Sequence, residues 1–290
     1  MSVNSISPAR RIKDKAFLVL VCLAFVIAVI PLISVLWMVI KNGAARFDMD
    51  FFSHSMRNID AKDAGGGAYH AILGTLEMVL IATIIALPIG ILTAIYLTEY
   101  GQGGRLAKTI SFFVDVMTGL PSIVAGLFIL SAWILVLGFG FSGFAGSLAL
   151  SILMMPIVVR GTEEMIRLVP GDLREASLAL GVPKWRTILK IVLPTALPGI
   201  ITGVILAIAR IAGETAPLLL VCFFTDSINT NPFTGPQVAL PQFIFQQAGK
   251  PDPTAIDRAW TGALTLIIIV MLLNLIGRGI ARWKAPARAR

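Results

Sequence analysis

The stretch GDLREASLALGVPKWRTILKIVLP, residues 171–194, is polar, rich in helix-forming residues and flanked on both sides by long apolar segments. Asp172 is a predicted cap for a first helix, and Gly181 follows where a left-handed residue commonly ends one. Pro183 is well placed to begin a second short helix. We therefore expect a compact helix pair within 161–196; the alternative is a plain loop between two membrane spans.

Six apolar segments make up most of the rest of the chain, each close to the roughly 20 residues that cross a bilayer as a helix. Of the 290 residues, 57% are hydrophobic and 14% charged, whereas a soluble domain carries about 25% charged residues. This composition excludes an ordinary soluble fold, and we expect an all-α polytopic membrane protein. The predicted spans are residues 16–40, 71–97, 110–137, 144–160, 197–224 and 260–280.

Lysine and arginine are unevenly distributed between the two sides of these spans. If the N-terminus is cytoplasmic, 17 of the 24 lie on the cytoplasmic side and Arg210 lies inside a span. The positive-inside rule then predicts that both termini are cytoplasmic, and the net charge of +8 needs no nucleic acid to explain it. The predicted parts are a cytoplasmic tail 1–15, a transmembrane domain 16–281 and a basic cytoplasmic tail 282–290.

The first apolar segment is too long to be the core of a secretory signal, which spans about 7–15 residues, so we expect it to remain as a span. The cysteines, Cys22 and Cys222, are expected to be small buried apolar residues. His54 and His70 fall in one polar loop, which is not a metal-binding pattern.

Positions in the helix pair resemble the EAA motif of the permease subunits of binding-protein-dependent ABC importers. The matching residues are Glu175, Ala176, Ser177, Gly181, Ile191, Leu193 and Pro194. Ser177 departs from the motif, where a third alanine is usual. The resemblance implies that the segment 175–181 couples the permease to an ATPase, with Glu175 in the docking surface and Gly181 at the turn.

Residues 118–128 and 209–219 resemble the phosphate-specific permeases of the Pst type. Together with Arg160 and the run 163–170, they are more similar to the PstA type than to the PstC type, and the similarity covers essentially the whole chain. It implies a permease subunit of an ATP-driven phosphate importer in the bacterial inner membrane.

The same resemblance implies several partners besides membrane lipid. They are a homologous second permease subunit (PstC type), two ATPase subunits (PstB type) and an extracytoplasmic phosphate-binding protein (PstS type). Loops 41–70 and 225–259 would face the binding protein, and closure of the ATPases would push segment 164–190 and rotate the fifth span. No Gly-x-x-x-x-Gly-Lys-Ser/Thr stretch occurs, so we expect no ATP-binding loop here. ATP and Mg²⁺ are expected on the partner ATPase, with no cofactor and no enzyme activity in this chain.

Arg210 and Glu214 are the charged residues in the middle of the fifth span, where an ionised side chain costs at least ~2.5–3.5 kcal/mol. Four residues apart on a helix, they would share a face and pair. They form either a cationic site on the substrate path, with Glu214 tempering the pull of Arg210, or only a self-neutralising pair. A guanidinium fork matches phosphate oxygens.

Other residues in the spans suggest helix breaks and secondary contacts. Gly213 is expected to permit close helix approach, and Pro217 and Pro121 to break their helices. Arg160 is either a second anion contact at the cytoplasmic exit or an anchor at the membrane surface. For Glu77 and Asp115 we favour structural roles near the outer and inner interfaces.

Three rival functions follow from the same residues. A permease for sulfate, molybdate or another oxyanion is the nearest. An ATP-independent secondary transporter or channel would explain the spans and buried charges but not the helix pair, and no inverted repeat of that class is evident. A membrane enzyme is disfavoured because the sequence contains no acid–base pair, nucleophile triad or metal set.

Overall fold

The computed structural model describes residues 8–101 and 103–284, and in those ranges every regular element is a helix, as predicted. The elements are α1 Pro8–Gly43, α2 Met49–Ser53, α3 Tyr69–Ile95, α4 Arg105–Gly119, α5 Ser122–Ile129, α6 Gly143–Arg167, α7 Gly171–Ala179, α8 Lys184–Thr187, α9 Leu193–Ala212, α10 Ala216–Val221, α11 Leu240–Ala248 and α12 Pro253–Lys284. Wider π-helical turns extend α3, α5 and α8 over Tyr96–Tyr100, Leu130–Val136 and Ile188–Val192.

Five of the described helical segments are long and apolar enough to cross a membrane, and the bent pair α4–α5 supplies a sixth. The six-span prediction is therefore confirmed. Its boundaries shift: α1 already begins at Pro8, inside the predicted tail 1–15, and α12 continues to Lys284, inside the predicted tail 282–290. Residues 1–7 and 285–290 of those tails lie outside the described residues.

The core forms around α6, which packs against α3, α4, α5, α9 and α10. The α3–α6 contact is lined by small residues, including the fully buried Ala82 and Ala145. At Gly90 an added Cβ would lie 2.7 Å from Val158 Cγ1. Small side chains let two helices approach closely in lipid, where burying apolar surface drives association little.

Side chains of α1 are largely exposed because this helix packs mainly against α12. An exposed apolar face is expected where lipid is the solvent. Cys22 lies on this face, so the prediction that it is buried is wrong. Cys222 is buried, as predicted.

The third span is bent at Pro121, where a helix break was expected, so the predicted segment 110–137 forms two helices and not one straight span. The axes of α4 and the segment Ser122–Val136 differ by 109°. Pro121 causes the bend, since it lacks an N–H and forces Leu120 into an extended conformation, with ψ 132°.

The fifth span is also broken, because α9 ends at Ala212 and the chain resumes helix only at Ala216. The predicted continuous span 197–224 is therefore wrong. Pro217 lies in the first turn of α10, where its missing N–H costs little. The half-helices α5 and α10 pack together after their breaks, with a Cβ at Gly126 only 2.7 Å from Pro217 Cα.

We predict that Gly126→Val destabilises the protein by about 1–3 kcal/mol, because the added side chain forces α5 and α10 apart. Thermal unfolding of the purified protein in detergent measures the effect. Gly279→Val is the matched control, since a Cβ there meets no atom within 4 Å. Equal unfolding temperatures for the two variants would contradict the close packing of α5 on α10.

Candidate functional site

A groove runs between the α4–α5 bend, α6 and α9. It consists of two adjoining cavities of about 350 and 560 Å³ that share Thr118, Pro156, Ile157 and Leu206. Arg210 lines the first cavity and Arg160 the second. The groove therefore contains the two arginines that the sequence singled out, one in each cavity, on a lining of mostly apolar and small residues.

Arg210 lies in the last turn of α9 and is exposed to the groove. Within residues 8–101 and 103–284, its guanidinium has no ion-pair partner. Glu214 follows the end of the helix at Ala212, so the expected pairing of Arg210 and Glu214 across one helix face is wrong. Arg210 thus presents an uncompensated positive charge to the groove.

Gly213 ends α9 with its N–H directed at the carbonyls of Arg210 and Ile211. The atom nearest to an added Cβ is the Arg210 carbonyl oxygen at 3.7 Å. The expectation that Gly213 permits close helix approach is therefore wrong. Gly126 has that role, and the sequence analysis missed it because nothing in a linear pattern indicates which glycine faces a neighbouring helix.

Arg160 is held by a network of charged and polar groups at the other end of the groove. Its guanidinium donates to Glu163 Oε2 at 2.6 Å, to Ser111 Oγ at 2.8 Å and, through Nε, to Asp115 Oδ1 at 3.1 Å. Glu163 is buried and also accepts from Arg167 at 2.5 Å. These contacts tie α4 to α6, and an anion reaching Arg160 has to compete with two carboxylates.

Glu77 accepts a hydrogen bond from Gln237 Nε2, which also donates to the Asn229 carbonyl at 3.0 Å. The contact joins α3 to the segment before α11. Glu77 has a structural partner at this position, in keeping with the role favoured for it.

The helix pair is present as α7 and α8, joined by a turn at Gly181. Gly181 has φ +77°, the left-handed conformation predicted for it. Asp172 is not the cap, because α7 begins at Gly171 after Pro170. It lies instead in the first turn, where a carboxylate still interacts favourably with the helix dipole.

Ser177 is buried, and its Oγ lies 2.8 Å from Thr187 Oγ1 on α8. The departure from the motif's third alanine therefore adds a hydrogen bond between the two helices. Glu175 and Ala176 are exposed. Around them, Leu180 and Trp185 are 83% and 52% exposed, which gives the helix pair an apolar outer surface with an acidic residue in it.

The sequence model for inner membrane components of binding-protein-dependent transport systems matches residues 86–290. That range contains both broken spans, the groove and the helix pair. The chain belongs to this family.

Relatives within the family are similar over nearly their whole length. The phosphate transport system permease protein PstA 1 of Mycobacterium tuberculosis is 48% identical over 282 residues, 97% of this chain and 91% of that protein. PstA of Mycobacterium leprae is 48% identical over 278 residues, 95% and 90% of the two chains. PstA of Yersinia pestis is 41% identical over 271 residues, 93% and 90% of the two chains.

Solved structures with this fold include an inward-facing MetNI methionine ABC transporter, with TM-score 0.60 and 22% identity over 76% of this chain and 95% of that one. A bacterial ABC transporter involved in import of the acidic polysaccharide alginate gives TM-score 0.63 and 13% identity, over 94% and 97% of the two chains. At these identities the similarity establishes the fold, that of a multi-pass ABC importer permease.

Four functional candidates were missed by the sequence analysis: Glu99, Ser111, Glu163 and Arg174. Glu99, Ser111 and Arg174 each contact a residue on another element, such as Arg174 with Glu99, 75 residues away, and Glu163 contacts Arg160 and Arg167 within α6. One signal was available in the sequence, since Glu99 is an acid shortly before the basic residues Arg105 and Lys108.

Proposed function

We propose that this chain is a permease subunit of an ATP-driven phosphate importer in the bacterial inner membrane. The observation that carries the proposal is Arg210, which has no ion pair within residues 8–101 and 103–284 and lines a groove between two broken spans. The names of relatives at 38–48% identity support phosphate as the substrate.

A second feature of the groove favours an anion. Leu120 lines the same cavity as Arg210 and directly precedes Pro121 and the first turn of α5. The N-terminal end of a helix carries a partial positive charge and free N–H groups. Half-helices that start inside a transporter commonly direct this end at an anionic substrate group.

The groove is open along α9, where Thr202, Leu206 and Arg210 are exposed. Exposing a polar, cationic surface to lipid within the membrane costs free energy. A homologous second permease of the PstC type that covers this side would close the groove into a pathway, with lipid around the remaining faces of both subunits.

We assign the exposed surface of α7 and the turn at Gly181 to contact with one of two ATPase subunits of the PstB type, which bind ATP and Mg²⁺. Glu175, Ala176 and Gly181 would then contact the ATPase, and the buried Ser177 would hold α7 against α8 behind them. Both termini are then cytoplasmic, in agreement with the excess of basic residues on that side.

The face of the permease opposite the helix pair suits contact with an extracytoplasmic binding protein of the PstS type, because loop 41–70 on that face is held by hydrogen bonds. Arg258 is fully buried and donates to the carbonyls of Ala61, Asp63 and Gly65 at 2.7, 2.8 and 2.9 Å. Arg46 donates to the Gly65 carbonyl at 3.2 Å. Loop 41–70 is thereby fixed to the start of α12 as a platform.

Phosphate held at Arg210 would leave past Arg160 when the groove opens inward. Because Asp115 and Glu163 already neutralise Arg160, this second cation offers a weaker hold than Arg210 does. Because Arg160 attracts phosphate less than Arg210 does, the anion is released more easily at Arg160. A carrier must release its substrate as well as bind it. Sulfate and molybdate carry similar oxygens, so the choice of phosphate over them rests on the named relatives.

We predict that Arg210→Gln lowers phosphate uptake about 10- to 100-fold, the loss expected when charge-assisted hydrogen bonds to the anion are removed. Arg210→Lys keeps the charge without the planar fork and should retain part of the uptake. Uptake of labelled phosphate by cells with equal amounts of protein measures the effect. Arg278→Gln, an exposed arginine on α12, is the control, and a loss equal in both variants would refute a specific role for Arg210.

We predict that Gly181→Asp lowers copurification of the ATPase and phosphate uptake together. The left-handed conformation costs a non-glycine residue about 1 kcal/mol or more, and the added side chain changes the docking turn. Gly140→Asp, the control, adds the same charge outside the helix pair at an exposed position with an ordinary φ and open surroundings, and should leave copurification of the ATPase unchanged. The coupling role would be contradicted by normal copurification and uptake in Gly181→Asp.

A further inference from the structure

The helix α7 is attached to the rest of the protein through few side chains. Of its nine residues, all of them described, Ser177 is the one buried residue. Its hydrogen bond to Thr187 joins α7 to α8, whose helix continues through Ile188–Val192 into α9, the fifth span. If a partner pushes α7, a further contact has to carry that movement to the other spans of the core, α3 and α6.

Arg174 provides that contact, because it is the residue of α7 that reaches the ends of two spans at once. Its Nε donates to Glu99 Oε1 at 3.0 Å. Its two terminal nitrogens donate to the carbonyl oxygens of Val169 and Ile166 at 2.6 and 2.8 Å. Glu99 belongs to the π-helical turn that ends α3, and Ile166 to the last turn of α6.

All three nitrogens of the Arg174 guanidinium donate a hydrogen bond. Carbonyls at the end of α6 lack partners within their own helix and carry the negative end of its dipole. The Glu99 carboxylate is also negative, and its side chain is only 9% exposed. One cation therefore pairs with a buried charge at the end of α3 and binds two carbonyls at and just beyond the C-terminal end of α6, of which that of Ile166 also accepts from the Val169 N–H at 3.2 Å. Losing it would leave the buried charge without its counterion.

The second helix of the pair is anchored to the same turn. Lys184 Nζ donates to the Glu99 carbonyl, and its ammonium lies 5.1 Å from the centre of the Tyr100 ring. Both α7 and α8 are thus connected to the π-helical turn Tyr96–Tyr100.

We propose that the Glu99–Arg174 ion pair is the joint that transmits movement of α7 to the inner ends of α3 and α6, a role that rests on the importer function proposed above. Both are positioning residues, since neither lines the groove. From the joint, α6 leads through Arg160 to Pro156 and Ile157 in the groove wall. A shift of α7 accordingly moves the helix that forms one side of the substrate path.

The test is the number of phosphate ions transported per ATP hydrolysed. The complete importer is reconstituted in vesicles with the wild-type chain or with Glu99→Gln, Arg174→Gln, Arg174→Lys or Lys108→Gln. Uptake and hydrolysis are measured on the same vesicles and normalised to assembled complex. Lys108→Gln removes an exposed cation from the same side of the membrane without touching the joint.

We expect Glu99→Gln and Arg174→Gln to hydrolyse ATP while the transport ratio falls about tenfold, the upper range for residues that couple distant sites. Arg174→Lys should also lower the ratio, because an ammonium group cannot span a carboxylate and two carbonyls as a planar fork does. Lys108→Gln should retain the wild-type ratio.

A wild-type ratio in every assembled variant overturns the proposal. If the glutamine variants fail to assemble, the Arg174→Lys variant decides. A wild-type ratio of phosphate transported to ATP hydrolysed in that variant means that the ion pair only supports folding, which overturns the proposal. A low ratio supports the proposal. Absence of phosphate-stimulated hydrolysis in the wild-type complex contradicts the proposed substrate instead. The ratio is then measured with the oxyanion that does stimulate hydrolysis.

Discussion

Backbone groups inside a bilayer need hydrogen-bond partners from the protein itself, and this constraint governs the structure around its two broken spans. Helix stops at Gly119 and at Ala212 and resumes at Ser122 and Ala216. Such breaks are tolerated at membrane depth where they are packed in protein or line a cavity. Here α5 and α10 pack on each other at Gly126, and the break in the third span opens on the groove.

The breaks decide which charges are available for function. A continuous fifth span would place Glu214 one turn beyond Arg210 and neutralise it. Because α9 ends at Ala212, Glu214 no longer shares a helix face with Arg210, and Arg210 has no ion pair in the part of the chain that the structure describes. At the other end of the groove the opposite holds, since Asp115, Glu163 and Ser111 occupy the guanidinium of Arg160. An anion could therefore bind Arg210 directly, whereas at Arg160 it would have to compete with two carboxylates.

Sequence patterns predicted the elements that depend on local composition. Hydropathy gave the six spans, and turn chemistry gave the left-handed Gly181 between two short helices. Proline chemistry indicated helix breaks at Pro121 and Pro217, but hydropathy alone could not show where each helix stops, because the residues around Pro121 are as apolar as those of an unbroken span. The Arg210–Glu214 pair was predicted on the assumption of a continuous helix, which failed for the same reason.

Contacts between distant parts of the chain could not be predicted from the sequence. Nothing in the local pattern connects Arg174 with Glu99 or indicates that Gly126 faces Pro217, because tertiary packing alone brings them together. The helix pair α7–α8 was predicted from its residues and spacing, whereas its contacts with the ends of α3 and α6 appeared only in three dimensions.

We propose that phosphate crosses the membrane through the groove at Arg210, and that the helix pair transmits the energy of ATP hydrolysis to this groove. The most direct test of this proposal is ATP hydrolysis by the chain reconstituted with a second permease, ATPase subunits and a phosphate-binding protein. The account predicts that phosphate stimulates hydrolysis only when the binding protein is present, and that sulfate and molybdate do not. Phosphate uptake that proceeds without ATP, or hydrolysis stimulated by another oxyanion and not by phosphate, would contradict it.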